Sequence, residues 1–446
     1  MKLAKALNLS SGDSVAFAGA GGKTSAMIAL ARELDPPVVL TTTTHLGVWQ
    51  AGFADIHMVV TKPEEIRSDL LNEKKIILVT GPAGDDDRLR GLSGKSLEKL
   101  QFLCKQSQVY LLIEADGARL RPVKAPAHYE PVIPTDVDRV VVLAGLTALG
   151  KPLDEILVHR PEIFTEVTGL KENEIINAEN LVTLLGSEEG GLKGVPDDCK
   201  KDLFLNQADD LVLQLNGGWI ARKLLDRFDR VLVGSIEKPG SSGEIFSVFS
   251  QTAGVILAAG GSERLNTPKQ LLDWQGKPFI HQVAQQALEA GLEPLIVVTG
   301  AYHDQVVQAL AGLPAEIVHN PDWRKGQSTS MKAGLKALPE ACGSVMFLLS
   351  DQPQISSELI RQLMDRYFQN RNAITAPMVN GQRGNPLLFD QAAFSALAEV
   401  KGDRGGRAVI NRFEVDWLPW VDRRILLDVD REGDYERLLK AYSLSE

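Results

Sequence analysis

The chain is poor in cysteine. Three thiols, Cys104, Cys199 and Cys342, are spread over 446 residues with no Cys-x-x-Cys pair, which excludes a disulfide framework and a cysteine-built zinc site. It also lacks an excess of positive charge. Asp and Glu outnumber Lys and Arg by 58 to 48, a formal net charge of -10, which argues against long, sequence-independent contact with a nucleic-acid backbone. No apolar run is long enough to span a bilayer. The N-terminus reads as a short amphipathic helix without the apolar stretch of a secretion signal. These absences predict a cytoplasmic protein that has neither nucleic acid nor membrane as partner. Heptads, solenoid repeats and low-complexity tracts are missing as well.

The composition is that of an ordinary soluble chain, 44% hydrophobic and 24% charged, and the length exceeds what one compact core accommodates. Two segments share one plan of apolar strand, glycine-rich turn and helix. The first is Ser14-Val-Ala-Phe-Ala followed by Gly19-Ala-Gly-Gly-Lys-Thr. The second is Gly254-Val-Ile-Leu followed by Ala258-Ala-Gly-Gly-Ser-Glu-Arg. Each opens an α/β nucleotide-binding domain. Between them lies the turn-rich Glu237-Lys-Pro-Gly-Ser-Ser-Gly-Glu. The pattern predicts two three-layer α/β/α domains: a P-loop-like domain over 1–240, a linker over 241–252 and a Rossmann-like domain over 253–446. Pro37–Thr41, Lys75–Thr80, Val109–Glu114, Arg139–Leu143, Leu295–Thr299 and Val345–Ser350 are continuous apolar runs, as parallel strands covered on both faces require. Ala373–Met378 is a weaker strand, which Pro377 limits to an end or an edge. Gly186–Asp202 reads as a surface loop.

In the first half, Gly19, Gly21 and Gly22 let the backbone fold so that its N–H groups converge on a phosphate. Lys23 reaches the outer phosphates and the Thr24 hydroxyl binds Mg²⁺. The further glycine usual in this motif is replaced by Phe17, so the loop is a variant. Leu111-Leu-Ile-Glu-Ala-Asp-Gly ends a strand in carboxylates, of which Asp116 or Glu114 would sit beside Mg²⁺; an Asp-Gly turn is the competing reading. Thr41–Thr44 and His45 follow another strand, where hydroxyls touch phosphate or cap a helix. These pieces, with Arg121-Pro-Val-Lys-Ala-Pro-Ala, Glu130-Pro-Val-Ile-Pro and Val158-His-Arg-Pro-Glu, resemble the selenium-dependent molybdenum hydroxylase accessory proteins of the YqeC type over residues 1–240. The resemblance implies a role near maturation of a molybdenum hydroxylase apo-enzyme, with ATP or GTP at the loop, and supplies no reaction.

In the second half, Ala258, Ala259, Gly260 and Gly261 carry almost no side chains, so a base and its phosphates approach the backbone closely. Arg264 and Lys269 supply cations just downstream, as a transfer that builds charge on an α-phosphate and on pyrophosphate requires. A dinucleotide loop lacks those cations and has a Gly-x-Gly-x-x-Gly spacing absent here. Asp351 ends the strongest apolar run of this half, placed to hold Mg²⁺ or to cap a helix.

Leu257-Ala-Ala-Gly-Gly-Ser262-x-Arg, Pro268-Lys-Gln-Leu-Leu, Asn320-Pro-Asp-Trp-Arg-Lys-Gly-Gln-Ser-Thr-Ser-Met, Ser350-Asp-Gln-Pro, Gly384-Asn-Pro and Gly402-Asp-Arg-Gly-Gly-Arg resemble the molybdenum cofactor cytidylyltransferases over about 253–446. The resemblance implies transfer of CMP from CTP, with Mg²⁺, to the molybdenum cofactor as small-molecule substrate. By it, Lys269 and Arg264 bind triphosphate and Asp351 binds the metal. Leu257 to Ser262, Asn320, Gly326, Ser328 and Ser330 lie near the nucleotide. Asn385, Pro386, Asp403 and Arg407 face the acceptor, and Asp430 gives a second metal contact. The chain departs from that pattern at Asn385, where His is common, and at Asp428-Val-Asp430, which lacks the usual Asp-Thr-Pro. A sugar- or polyol-phosphate nucleotidyltransferase and a non-catalytic cofactor carrier are the alternative readings.

Overall fold

The computed structural model describes residues 1–84, 87–236, 243–262, 265, 267–339 and 342–443, which divide into two units, Met1–Phe249 and Ser250–Glu446. Short runs become strands in both, the central ones apolar and buried.

In the first unit these are β1 (Ser14–Gly19), β2 (Val38–Thr42), β3 (Ile56–Val59), β4 (Ile76–Thr80), β5 (Tyr110–Glu114), β6 (Arg139–Gly145), β7 (Lys200–Asn206), β8 (Arg230–Ser235) and β9 (Glu244–Ser250). They form one sheet in the order β9-β8-β7-β6-β1-β5-β2-β4-β3, and β1 to β8 run parallel. Helix α1 (Lys23–Glu33) leaves the loop after β1 and lays Met27 and Leu30 on Val15, Phe17, Val141 and Phe204 of the sheet. Two differences from the sequence reading stand out. The expected linker over 241–252 contains β9, Glu244-Ile-Phe-Ser-Val-Phe-Ser, whose Ile245 and Val248 are both buried in the same core. The expected surface loop ends sooner, since Lys200–Asp202 start β7 with Asp202 fully buried. Neither β7 nor β8 is expected from sequence, because their apolar runs, Leu203–Leu205 and Val231–Val233, are only three residues long.

The second unit contains β10 (Thr252–Ala258), α2 (Phe279–Glu289), β11 (Leu295–Thr299), β12 (Glu316–His319), α3 (Gln327–Lys336), β13 (Ser344–Leu349), α4 (Ser357–Asn370), β14 (Ile374–Val379), β15 (Gln382–Arg383), β16 (Leu387–Asp390) and β17 (Val415–Pro419). The sheet order is β12-β11-β10-β13-β16-β14-β15, with β17 on the other side of β14. The four strands β10 to β13 are parallel and β16 is antiparallel to β13. The chain passes from β10 outward to β11 and β12, then crosses back to β13. The C-terminal end of β10 is therefore the switch point, where α/β sheets open a crevice.

Alternate residues Ala253, Val255, Ile296, Val298, Val345 and Phe347 share one sheet face with Met331 of α3. Gly334 brings α3 close, since a Cβ there would lie 2.5 Å from Val255 Cγ1. Helices α2 and α4 pack on each other outside that cluster.

β14 is not an edge strand, contrary to the expectation from Pro377. Its ladder to β16 ends at Thr375 and its ladder to β15 begins at Met378, while β17 covers the other side. The missing N–H of Pro377 falls in that gap. Among the described residues no helix is long and apolar enough to cross a membrane.

Candidate functional site

The loop after β10 owes its shape to one buried side chain. Gln270, 1% exposed, donates from Nε2 to the carbonyls of Ala258 (3.1 Å) and Gly260 (2.8 Å). Ser262, in left-handed conformation at φ 50°, accepts the Lys269 N–H on its hydroxyl at 2.9 Å. The small residues 259–261 are thus held open above a cleft of ≈ 860 Å³. Trp323 forms part of its wall, and a Cβ on Gly261 would sit 3.0 Å from the indole. Tyr302 donates to the Gly261 carbonyl at 3.0 Å.

Lys269 and Asp351 meet in this cleft as an ion pair, and Asp430 lies 3.6 Å from the same ammonium. Burial works against the lysine charge, but Asp351 and then Asp430 outweigh it, so its pKa is raised. Asp428 stands behind. Burial, and then the charge of Asp351, hold its carboxyl above the usual range, while the Gln352 amide donates to it at 2.5 Å. Among the described residues no three His, Cys, Asp or Glu side chains form a ready-made metal cage. Asp351 and Asp430 supply the oxygen donors that suit Mg²⁺ arriving with phosphate and water as its remaining ligands.

Leu257, Ala259, Gly260, Gly261, Ser262, Gly326, Ser330, Lys269, Asp351, Asp403 and Asp430 all line the cleft. Ala258 does not; it is 1% exposed and contributes only its carbonyl to Gln270. Asn320 and Ser328 act behind the lining. Asn320 donates to the hydroxyls of Thr329 (2.8 Å) and Ser330 (3.0 Å), and the Ser328 N–H donates to the Gly402 carbonyl at 3.2 Å.

The expected acceptor-facing set divides. Asp403 lines the cleft and accepts from the Gln327 N–H at 3.4 Å. Asn385 is buried and donates to Gln352 Oε1 at 3.2 Å, so its amide is spent within the wall. Pro386 follows it outside the lining, and Arg407 is exposed and also outside the lining, close enough for its charge to act on Asp428. Arg264 lies outside the described residues. Gln270 and Trp323 carry roles that sequence reasoning did not assign, although both sit within the motifs it singled out.

The first unit carries a second arrangement. Gly19, Gly21 and Gly22 have φ of 92°, 76° and 114°. At Gly19 and Gly21 a Cβ would lie 2.3 Å from the backbone of Leu143 and Gly145, so only glycine fits. Lys23 folds back to donate to the Gly19 carbonyl at 2.6 Å and lies 3.2 Å from Asp116. Thr24 donates to Glu114 at 2.8 Å. The carboxylate that meets the Thr24 hydroxyl is therefore Glu114, which β5 delivers next to Phe17 of β1. Burial pushes its carboxyl up, against the charge of Lys23. Asp116 instead pairs with Lys124 at 2.6 Å, and Glu130 bridges Lys124 and Arg160 at 2.8 Å each. His45 is exposed on a short strand, His45–Gly47.

Comparison with known proteins gives the same division. Residues 254–416 match the family model of the MobA-like NTP transferase domain, and residues 15–162 match that of the YqeC protein. The uncharacterised YqeC protein of Escherichia coli (strain K12) is 29% identical over 200 residues, 43% of this chain and 75% of that protein. Nicotine blue oxidoreductase of Paenarthrobacter nicotinovorans is 32% identical over 197 residues, 42% of this chain and 95% of that protein. The molybdenum cofactor cytidylyltransferase of Escherichia coli (strain K12) is 26% identical over 192 residues, 42% of this chain and 96% of that protein.

Proposed function

We propose, for a chain that belongs to the MobA-like NTP transferase family in its C-terminal unit and resembles the YqeC protein in its N-terminal unit, that the nucleotidyltransferase moves CMP from CTP to the terminal phosphate of the molybdenum cofactor and releases pyrophosphate. The observation that carries the reading is the Lys269–Asp351 pair beneath the small-residue loop, in a cleft of nucleotide size. Likeness to the cytidylyltransferase supports CTP and the acceptor.

The reaction is an in-line displacement. An acceptor phosphate oxygen attacks the α-phosphorus, and the bond to pyrophosphate breaks. The attacking group is already an anion, so no strong general base is needed. Lys269 stays protonated and faces the charge that develops on the phosphates, while the loop N–H groups of 259–262 orient them. Mg²⁺, held by Asp351 with Asp430, would supply neutralisation of the triphosphate when bound.

The N-terminal unit is proposed to bind ATP or GTP at Gly19–Thr24 and to serve handover of the finished cofactor to a molybdenum hydroxylase. Fusion raises the local concentration of one unit's product near the other.

The test is pyrophosphate release from the purified full chain with Mg²⁺ and CTP, GTP or ATP, with and without molybdenum cofactor. Release that requires both CTP and the cofactor is expected. Release only with a sugar or polyol phosphate, or nucleotide binding without release, would overturn the acceptor or the catalytic role respectively.

A further inference from the structure

In the N-terminal unit, two lysines from different segments converge on one carboxylate. Lys23 of the phosphate loop lies 3.2 Å from Asp116 Oδ1, and Lys124 donates to Oδ2 at 2.6 Å. The Gly19 N–H donates to Oδ2 as well, at 3.2 Å. Lys23, Asp116 and Lys124 are 5%, 1% and 6% exposed. Two ammonium groups and a glycine-loop N–H are the donor set that a phosphate oxygen takes.

Two further features set this cluster apart from an ordinary buried ion pair. Asp116 Oδ1 has no hydrogen-bond donor although it is buried; Lys23 lies within ion-pair range but not in line with it. The next turn is strained. Arg119 and Leu120 are consecutive left-handed residues at φ 50° and 62°, with Leu120 fully exposed, and the Arg121 carbonyl takes the N–H of Gly21 at 3.0 Å. Left-handed bulky residues concentrate at ligand clamps and switch segments.

We infer that Lys124 is a second phosphate-binding cation of the N-terminal nucleotide site, and that the Asp116 carboxylate holds the seat of the nucleotide's outer phosphate and is displaced when a triphosphate enters. The inference rests on the reading of Gly19–Thr24 as a nucleotide loop. Displacement leaves Lys124 anchored by Glu130, which Arg160 also holds, so its charge stays directed at the loop. Asp116 then opposes triphosphate binding, the reverse of what a magnesium ligand does.

The test is calorimetric titration of the full chain with sodium tripolyphosphate in EDTA. The binding counted is the part lost in Lys23→Ala, which separates it from the C-terminal cleft. Asp116→Asn is expected to tighten that binding about tenfold, as removal of a charged competitor implies. Lys124→Gln in the Asp116→Asn background is expected to weaken it about tenfold. The near-isosteric changes, checked by melting temperature, keep the comparison among folded proteins. Unchanged or weaker binding by Asp116→Asn, or no effect of Lys124→Gln, overturns the inference. If the wild type shows Lys23-dependent binding of MgATP or MgGTP while Asp116→Asn gains nothing, only this inference falls. If no ligand binds in a Lys23-dependent way, the nucleotide reading of the loop falls with it.

Discussion

Lys269 and Asp351 lie 82 positions apart in the chain and meet as an ion pair at the mouth of the cleft. One follows the loop after β10 and the other follows β13, its neighbour in the sheet. Their side chains are 22% and 11% exposed, so each keeps contact with water and neither is needed to hold the core. Asp351→Asn is therefore expected to lower kcat for pyrophosphate release on the order of 10²- to 10³-fold, the scale for loss of one fixed charge-stabilising group. The melting temperature is expected to stay within a few degrees. Near-normal turnover would remove Asp351 from the reaction.

Gln270 offers a contrasting case, since it shapes the loop without reaching into the chemistry. Gln270→Ala leaves the buried Ala258 carbonyl and the more open Gly260 carbonyl without their side-chain donor; the buried one alone costs about 1–3 kcal/mol. Lower stability and a raised KM for the nucleotide are expected, with kcat changed less than KM. A kcat loss at constant KM would show that Gln270 acts in the transition state instead.

The buried pair Arg139–Asp202 joins β6 and β7. Burial pushes the Asp202 carboxyl up, against the charge of Arg139. Asp202→Ala strands a buried guanidinium and is expected to destabilise the first unit by about 3–5 kcal/mol. Arg139→Met with Asp202→Leu is expected to be neutral or stabilising. Denaturant unfolding of both variants decides it; equal loss in the two would mean that the pair contributes net stability.

His159 carries the pH dependence. Burial, then Arg160 and Lys124, lower its pKa from 6.5 to about 4. A base depressed in the folded state contributes stability above the unfolded value that is lost as pH falls. Between pH 6.5 and about 4 the unfolded chain takes up a proton that the folded chain refuses. The wild-type melting temperature is expected to fall more steeply across that window than that of His159→Gln. Parallel curves would mean that His159 does not carry this linkage.

Much of the candidate site was legible in the chain because it is local. Gly19–Thr24 and Ala258–Ser262 each follow an apolar run, and strand, tight turn and helix are encoded by neighbouring residues. Lys23, Thr24, Lys269 and Asp351 were found for the same reason: each stands at a set distance from a glycine turn or at the end of a strand.

What sequence spacing left undecided is which of these groups meet. Glu114 and Asp116 are two positions apart, and only the register of β5 against β1 assigns Glu114 to Thr24 and Asp116 to Lys23. Asn385 lies in a motif that suggests an acceptor contact, yet packing turns its amide into the wall toward Gln352. The strand Glu244–Ser250 hid within a turn-rich stretch because its partner β8 precedes it through residues that favour turns. By itself the sequence determined two α/β units, their two glycine loops and the residue types beside them, since those depend on neighbours in the chain. Strand order and side-chain packing, which join groups 80 to 100 positions apart, decided which carboxylate faces which cation.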